Sequence, residues 1–314
     1  MATVSVLITT LNAMEWLPKQ LAALHRQTVP IAEIVLMDSQ SEDGTCLLAK
    51  NDPLCRVISI RRTDFDHGGT RDDAARTCAS DYLWFLTQDA IPKDEHCLEE
   101  LLKAVQGKDV ACAYSRQVAD PKASRIEQLN RLANYPTESF SRGEDDIKDH
   151  QIRTFFLSNT SCLYKRELYE RVGGFRHDLP TNEDMLIAAT FIHHGYRTAY
   201  CATSEVWHAH HATLLQWYRR SFDTGAFMHM FATTLAGARA NAAGMKYMLS
   251  VMKTLAKELR LFSACYFGMI CVTRWLGDRD GRHYTRLSDQ AILRRTQNPA
   301  FWLLYLNASS AVHE

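Results

Sequence analysis

Five apolar runs of strand length punctuate the first 115 residues: VSVLITT (4–10), EIVLMDS (33–39), VISI (57–60), YLWFLTQD (82–89) and VACAYS (110–115). Stretches of helical length lie between them, over 16–27, 44–50, 70–79 and 95–106. Runs of Val, Ile and Leu without polar alternation predict strands buried on both faces, and their alternation with helices predicts a parallel α/β sheet. Ligands of such sheets sit at the carboxyl ends of the strands, so the polar residues there become the candidates for chemistry. They fall at 9–12, 38–45, 63–75 and 87–92.

Beyond residue 115 the alternation stops. Residues 116–153 are polar, charge-mixed and weakly periodic, as expected of a functional or mobile excursion. FFLSNTSCLYKRELYERVGGF (155–175) predicts a strand, a short helix and a Gly-Gly turn, and PTNEDMLIAATFIHHGYR (180–197) predicts a helix beginning near Asn182. From Met245 to Leu276 the pattern is helical, with an uncharged run of 13 residues over 261–273, shorter than the ~20 needed to cross a bilayer. Between 245 and 300 there are 10 Lys/Arg and 4 Asp/Glu, a local excess of six positive charges interleaved with Phe262, Tyr266 and Trp275. Two readings fit: adsorption to an anionic membrane surface, or packing against another domain or subunit.

Composition narrows the class. The chain has 314 residues, 46% of them hydrophobic, and 36 acidic against 36 basic side chains. A globular protein without net charge gives no electrostatic reason to expect nucleic acid as a partner. Nine cysteines, an odd number with no CxxC pair, argue against a disulfide framework and for a reducing compartment. The chain enters its first strand without a charged and apolar leader, so a cytoplasmic location is expected.

Each strand end carries a distinct chemical possibility. Asp38, in DSQSEDGT (38–45), can accept a hydrogen bond from a nucleobase imide or form an Asx turn and helix cap. In DHGGTR (66–71), Gly68 and Gly69 admit close approach of backbone to a ligand or a positive φ, and Arg71 offers a planar fork suited to a diphosphate. His67 beside them can bond a diphosphate, a sugar hydroxyl or the backbone. Asp89, in WFLTQDAIP (84–92), delivers one carboxylate to the same edge, where a hard divalent cation shared with a diphosphate needs few protein ligands. Glu183 and Asp184 open the helix after Thr181. They suit the helix dipole, and they also suit a general base, of which only one can face a given substrate because neighbouring helical residues diverge by about 100°. Asn159 and Thr160 suit sugar hydroxyls or strand-end hydrogen bonding. His208, His210 and His211 follow another strand without an HExxH pattern.

Taken in order, TTLN (9–12), MDSQSEDGT (37–45), HGGTR (67–71) and TQDAIP (87–92) resemble the motifs of the inverting GT-A glycosyltransferases of family 2. The HGGTR and LTQDA pair is similar in particular to the bacterial dTDP-rhamnose-dependent rhamnosyltransferases. The resemblance covers about residues 3–230. It implies an α/β GT-A (Rossmann-like) fold, a mostly parallel sheet flanked by helices with a helical C-terminal appendage. The expected domains are a catalytic one over 1–235, divided into a nucleotide-binding half (1–115) and an acceptor half (116–235), and a helical region over 236–314, for which membrane contact through 245–276 is one of the two readings given above.

The resemblance also implies transfer of L-rhamnose from dTDP-L-rhamnose to a lipid-linked saccharide in surface polysaccharide synthesis, peripheral to the cytoplasmic face of the inner membrane. It assigns Thr9, Asn12, Asp38, Ser39, His67, Gly68, Gly69, Arg71 and Gln88 to the donor, and Asp89 with His208 to a divalent cation, Mg2+ or Mn2+. Asp184 becomes the catalytic base with Glu183 as its fallback, while His210 and His211 become acceptor contacts or solvent-facing. Where many members carry Asp-x-Asp, this chain carries Thr87-Gln88-Asp89, one carboxylate fewer. Three other readings remain open: a donor such as UDP-galactose or UDP-N-acetylglucosamine, a zinc-dependent hydrolase built on His208, His210 and Asp184, and a non-catalytic nucleotide-sugar binder.

Overall fold

The structure, a computed structural model, describes residues 2–208, 212–235 and 242–311. Among the described residues nine strands form one sheet: β1 (Val4–Thr10), β2 (Glu33–Asp38), β3 (Cys55–Ser59), β4 (Tyr82–Thr87), β5 (Ala90–Pro92), β6 (Val110–Val118), β7 (Phe140–Arg142), β8 (Ser161–Lys165) and β9 (Arg197–His208). The order is β3-β2-β1-β4-β8-β6-β9-β5, with β7 paired to β9. The first four sequence-predicted strands are parallel neighbours, β3-β2-β1-β4. β8 then enters antiparallel between β4 and β6, β9 runs parallel to β6, and the short β5 and β7 run antiparallel to β9.

The unbroken apolar runs are explained by two covered faces. Val4, Val6 and Ile8 of β1, with Trp84 and Leu86 of β4, pack against Leu17, Leu21 and Leu24 of the helix Leu17–Leu24 and against Leu98 and Leu101 of the helix Cys97–Ala104. Leu7, Leu83 and Phe85 point the other way, toward Ala74 and Ala75 of the helix His67–Arg76 and Ile187 and Phe191 of the helix Glu183–His193. The two-residue period of a strand sends alternate side chains into opposite layers, so nearly every position takes an apolar residue; Ser5 of β1, buried among them, spends its hydroxyl on Glu33 and Ser80. Burial of a large aliphatic or aromatic side chain contributes about 1.5–3 kcal/mol.

The chain divides into two compact units. One comprises residues 2–123, 131–177 and 183–208; the other comprises 124–130, 178–182, 212–235 and 242–311. The helix Leu214–Met230, adjacent in sequence to the last strand, folds with the later helices of the second unit, among them Leu261–Arg282. A close backbone contact explains this. A Cβ on Gly281 would overlap the Phe222 carbonyl, and one on Gly277 the Tyr218 carbonyl, so the two helices meet at their backbones. Phe222 and Ala226 continue into a core with Tyr284, Ile292, Phe301 and Trp302. Asp223 is buried there and accepts from Thr296 Oγ1 (2.7 Å), Gln297 N (2.8 Å) and Trp302 Nε1 (2.9 Å), which fixes the entry to the helix Pro299–Ala311.

Gly281→Ala inserts a methyl group into that backbone contact and is expected to lower stability by about 1–3 kcal/mol, the usual cost of overpacking. Urea unfolding of the variant against wild type checks this; an unchanged midpoint would mean the helices separate without cost.

Candidate active site

The register of β1 against its neighbours sets Thr9 opposite Thr87 and Thr10 opposite Asp38. Asp38 is buried and spends its carboxylate on the chain itself: Oδ1 accepts from Thr10 Oγ1 (2.9 Å) and Ser41 Oγ (2.5 Å), Oδ2 from Ser41 N (2.8 Å). Burial opposes its charge, but the Ser41 hydrogen bonds outweigh that and hold it below the usual range. Asn12 sits in the left-handed region (φ 50°), donates its N–H to Ser41 Oγ and accepts from Glu42 N through Oδ1. Ser39 is tied back by its N–H to Thr10 O. Gln88 clasps Leu11 in both directions, accepting from its N–H at 2.8 Å and donating to its carbonyl at 3.2 Å. Thus Asn12, Asp38, Ser39 and Gln88 are brought together as the frame of the loop edge, with Thr9 half-buried beside them.

Asp89 is placed by backbone register. Ala90 of β5 lies opposite His208 of β9, so Asp89, one residue earlier, stands beside the imidazole, with Oδ2 3.1 Å from Nε2. Gln20, a polar residue on the apolar face of the helix Leu17–Leu24, secures this turn by donating to Thr87 O (2.8 Å) and Ala90 O (2.7 Å). His208 Nδ1 lies 2.9 Å from Gln117 Oε1 and 3.1 Å from Arg131 Nη2. Its proton can therefore take either ring nitrogen. With the proton on Nε2 it bonds Asp89 directly; with the proton on Nδ1, toward Gln117, the Nε2 lone pair and the carboxylate converge, a donor set that suits a divalent cation. Among the described residues no group of three or more His, Cys, Asp or Glu gathers, so a cation here would take its remaining ligands from substrate or water. Gln20, Gln117 and Arg131 were not singled out in the sequence. Gln20 alone had a visible signal, a polar side chain at a core position.

The HGGTR segment differs from its expected form. The helix starts at His67, three residues before Thr70, because Asp66 caps it by accepting from Gly69 N and donates its own N–H to Thr70 Oγ1 (3.1 Å). Neither Gly68 nor Gly69 has a positive φ. The close approach that needs Gly68 is to the chain's own backbone, since a Cβ there would overlap the Arg176 carbonyl. His67 is exposed, edge-on to Phe65 at 4.9 Å, and its carbonyl accepts from Arg71 Nη1 (2.9 Å). Arg71 itself is buried, and Nη1 lies 2.6 Å from Glu183 Oε1.

That ion pair separates the two neighbouring acids. Glu183 Oε1 also accepts from Asn159 Nδ2 (3.2 Å), and Asn159 Oδ1 accepts from Tyr164 OH (2.7 Å). Burial works against the Glu183 charge, yet Arg71, with His67, brings its carboxyl below the usual range. Among the described residues no cation pairs directly with Asp184, although the Arg71 charge acts on it from its pair with Glu183. Burial first, and the Glu183 charge second, push it up to about 7, although Met185 N donates to Oδ1 at 2.8 Å. The residue as a whole is half-buried. A carboxyl whose pKa lies near neutrality suits a general base. Thr160 is buried, its carbonyl accepting from Thr87 N (3.1 Å); His210 and His211 lie outside the described residues.

Comparison with known proteins places this geometry. The profile of glycosyl transferase family 2 matches residues 5–173. The O-antigen chain rhamnosyltransferase WbaN of Salmonella anatum is 38% identical over 206 residues, which span 65% of this chain and 65% of that protein. The O-antigen chain rhamnosyltransferase RfbN of Salmonella typhimurium is 31% identical over 287 residues, 90% of this chain and 91% of that one. Among solved structures, the mannosyltransferase PcManGT from Pyrobaculum calidifontis, in complex with GDP-Man and Mn2+, aligns with a TM-score of 0.61 at 15% identity over 91% of this chain and 88% of its own. TarS 1-349 of S. aureus aligns at 0.54 and 16% identity, over 77% and 68%. At these identities the structural likeness speaks for the fold.

An acid raised in the folded state binds more protons there than when unfolded, so Asp184 makes stability fall as pH rises from its ordinary range through about 7. Glu183, shifted down, acts only at lower pH. Asp184→Asn should therefore flatten the loss of stability between pH 5 and pH 8, measured by urea unfolding. Glu183→Gln strands a buried guanidinium and should cost about 3–5 kcal/mol; a smaller cost would show that Arg71 finds another partner.

Proposed function

This chain belongs to glycosyl transferase family 2, and from that premise we propose that it transfers L-rhamnose from dTDP-L-rhamnose, with inversion, to a lipid-linked saccharide in bacterial O-antigen-type polysaccharide synthesis. Membership of that family replaces the expectation of a zinc hydrolase built on His208, His210 and Asp184. The single observation that carries the mechanism is the split between Glu183, spent on Arg71, and Asp184, raised to a pKa of about 7. The two Salmonella rhamnosyltransferases support the choice of sugar and acceptor class.

In this reading Asp184 takes the proton of the acceptor hydroxyl as its oxygen forms a bond to the anomeric carbon and the bond to the nucleotide diphosphate breaks. One displacement inverts the centre and needs no protein nucleophile. Asp89 and His208 would hold a divalent cation, Mg2+ or Mn2+, whose positive charge would offset the charge developing on the leaving diphosphate. Gln117 fixes the His208 ring, and Gln20 fixes the turn that carries Asp89. Asn12, Asp38, Ser39 and Gln88 hold the loops against which the nucleotide lies, with Thr9 and His67 at the same edge. Arg71 acts through Glu183, keeping that acid charged and leaving Asp184 as the base.

Asp184→Asn should lower kcat by 10²- to 10⁴-fold, the usual contribution of a general base, with donor binding retained. In wild type the acidic limb of the kcat/KM profile should fall near pH 7, since the base must be ionised. Donor identity is read by thermal shift: dTDP-L-rhamnose should stabilise the protein more than UDP-galactose or UDP-N-acetylglucosamine in the presence of Mn2+, and Asp89→Ala should remove most of that stabilisation. Full activity in excess chelator would overturn the metal assignment.

The second unit supports contact with an anionic membrane surface. No helix of the described residues is long and apolar enough to cross a membrane. However, Leu259 (85% exposed), Leu261 and Phe262 (95% exposed) project at the start of the helix Leu261–Arg282, and Met269, Val272 and Trp275 are exposed along it. Lys253, Lys257, Arg260 and Arg279 flank them, also exposed. Apolar side chains ringed by cations match the interface of anionic lipids, each cation contributing about 1 kcal/mol. Phe262→Ser with Leu259→Ser should reduce co-sedimentation with phosphatidylglycerol vesicles at least tenfold without lowering solubility. Unchanged sedimentation would leave the patch to a protein partner.

A further inference from the structure

A cleft of about 480 Å³ in the first unit is lined in part by Asp89 and His208 and extends away from the loop frame of Asn12, Asp38, Ser39 and Gln88. Its walls carry two tryptophans. Trp16 caps the helix Leu17–Leu24, whose first turn adds Lys19, and Arg26 follows the helix's end; Trp207 comes from β9 opposite Ile91 of β5; Asp120 comes from the segment after β6. Both indoles are half-buried, although the largest side chains of this unit elsewhere, such as Trp84, lie wholly inside. In β9 the pattern accounts for Trp207: Val206 and His208 turn inward, which leaves the residue between them facing the cleft.

The rings are held in place. Lys19 Nζ lies 5.7 Å from the centroid of Trp16, and Lys93 Nζ lies 5.4 Å from that of Trp207 and pairs with Glu205. Cations at this distance are attracted to an indole face and limit its rotamers. Charge in the cleft is mixed, with Lys19, Arg26 and Lys93 against Asp89 and Asp120, so no strong field of either sign selects a polyanion. What remains is a pair of flat apolar faces rimmed by hydrogen-bond donors and acceptors. A pyranose ring is complementary to both: its axial C–H groups form an apolar patch that packs on an indole, while its hydroxyls need donors and acceptors at the edge.

We infer that this cleft is a carbohydrate subsite in which Trp16 and Trp207 pack against the sugar of the acceptor, beside the Asp89–His208 pair proposed above for the cation. The inference rests on the transferase reading for the word acceptor, and on the cleft alone for the word carbohydrate. Either the acceptor or the donor could supply the sugar, and the two sources separate experimentally.

The probes are methyl α-D-galactopyranoside and methyl α-D-mannopyranoside, titrated against the full chain by intrinsic tryptophan fluorescence, with dTDP-L-rhamnose and Mn2+ followed in parallel by thermal shift. Expected are saturable binding of at least one glycoside in the millimolar range, its loss by about tenfold or more in Trp16→Ala and in Trp207→Ala, its retention in the matching Trp→Phe variants, and an unchanged donor shift in all four. The retained donor shift also shows that the variants are folded. Absence of saturable glycoside binding to wild type up to about 100 mM, far above the millimolar range expected, overturns the subsite. So does glycoside binding that is indifferent to both alanine substitutions. Loss of the donor shift in the alanine variants while glycoside binding persists assigns the cleft to the donor and overturns the acceptor role. If no nucleotide sugar shifts any protein but the glycoside pattern holds, the transferase reading fails and the carbohydrate subsite stands.

Discussion

The buried ion pair between Arg71 and Glu183 is the constraint on which the rest of the site depends. It joins the second turn of the helix His67–Arg76 to the first residue of the helix Glu183–His193, two positions 112 residues apart in sequence. Two charges removed from water repay their desolvation only with good geometry and further hydrogen bonds. Asn159 and the His67 carbonyl provide those here, and Tyr164 in turn holds Asn159. The pair also decides the chemistry of the next residue. With Glu183 charged and engaged, Asp184 is left beside a like charge in a poorly hydrated place, and its carboxyl rises toward neutrality. One cation thus gives two adjacent acids different properties.

The opposite wall of the site is organised by strand register rather than by charge. β9 is long enough to pair with β6, β5 and β7, and its last residue is His208. A register shift in the β6–β9 ladder between Ser115 and Arg116 readjusts the pairing just before that end. Pairing of only three residues with β5 then brings Asp89 to the imidazole and turns Trp207 outward beside it. In the second unit the analogous economy is steric: glycines at 225, 277 and 281 let two helices approach to backbone contact, so the apolar side chains of the helix Leu261–Arg282 are divided between that packing and solvent.

The strand ends and the acids were legible along the chain because they depend on local rules. Apolar runs mark strands covered on both faces, and the five predicted runs all became strands, their ends within a few residues of the expected ones. The motifs at those ends then brought Asp89, His208, Asp184 and Arg71 into view as a set. Local rules also misplace what a distant partner determines. The helix expected from Thr70 begins at His67 because Asp66 caps it, and Gly68 is required by the Arg176 backbone, a contact that spacing within HGGTR cannot reveal.

What the sequence determined by itself was therefore the class of fold, the edge where chemistry gathers and the residue types available there. Tertiary structure alone decided how those residues are spent: Asp38 on Thr10 and Ser41, Gln88 on Leu11, Arg71 on Glu183, and Asp184, among the described residues, on no directly paired cation. It also brought in Gln20, Gln117, Arg131, Trp16 and Trp207, none of which carries a motif. The physical reason is that hydrogen bonds and ion pairs are short-ranged and directional, while the residues that form them lie tens of positions apart. A periodicity records which face a side chain must take, and only the folded chain records which polar atom it meets there.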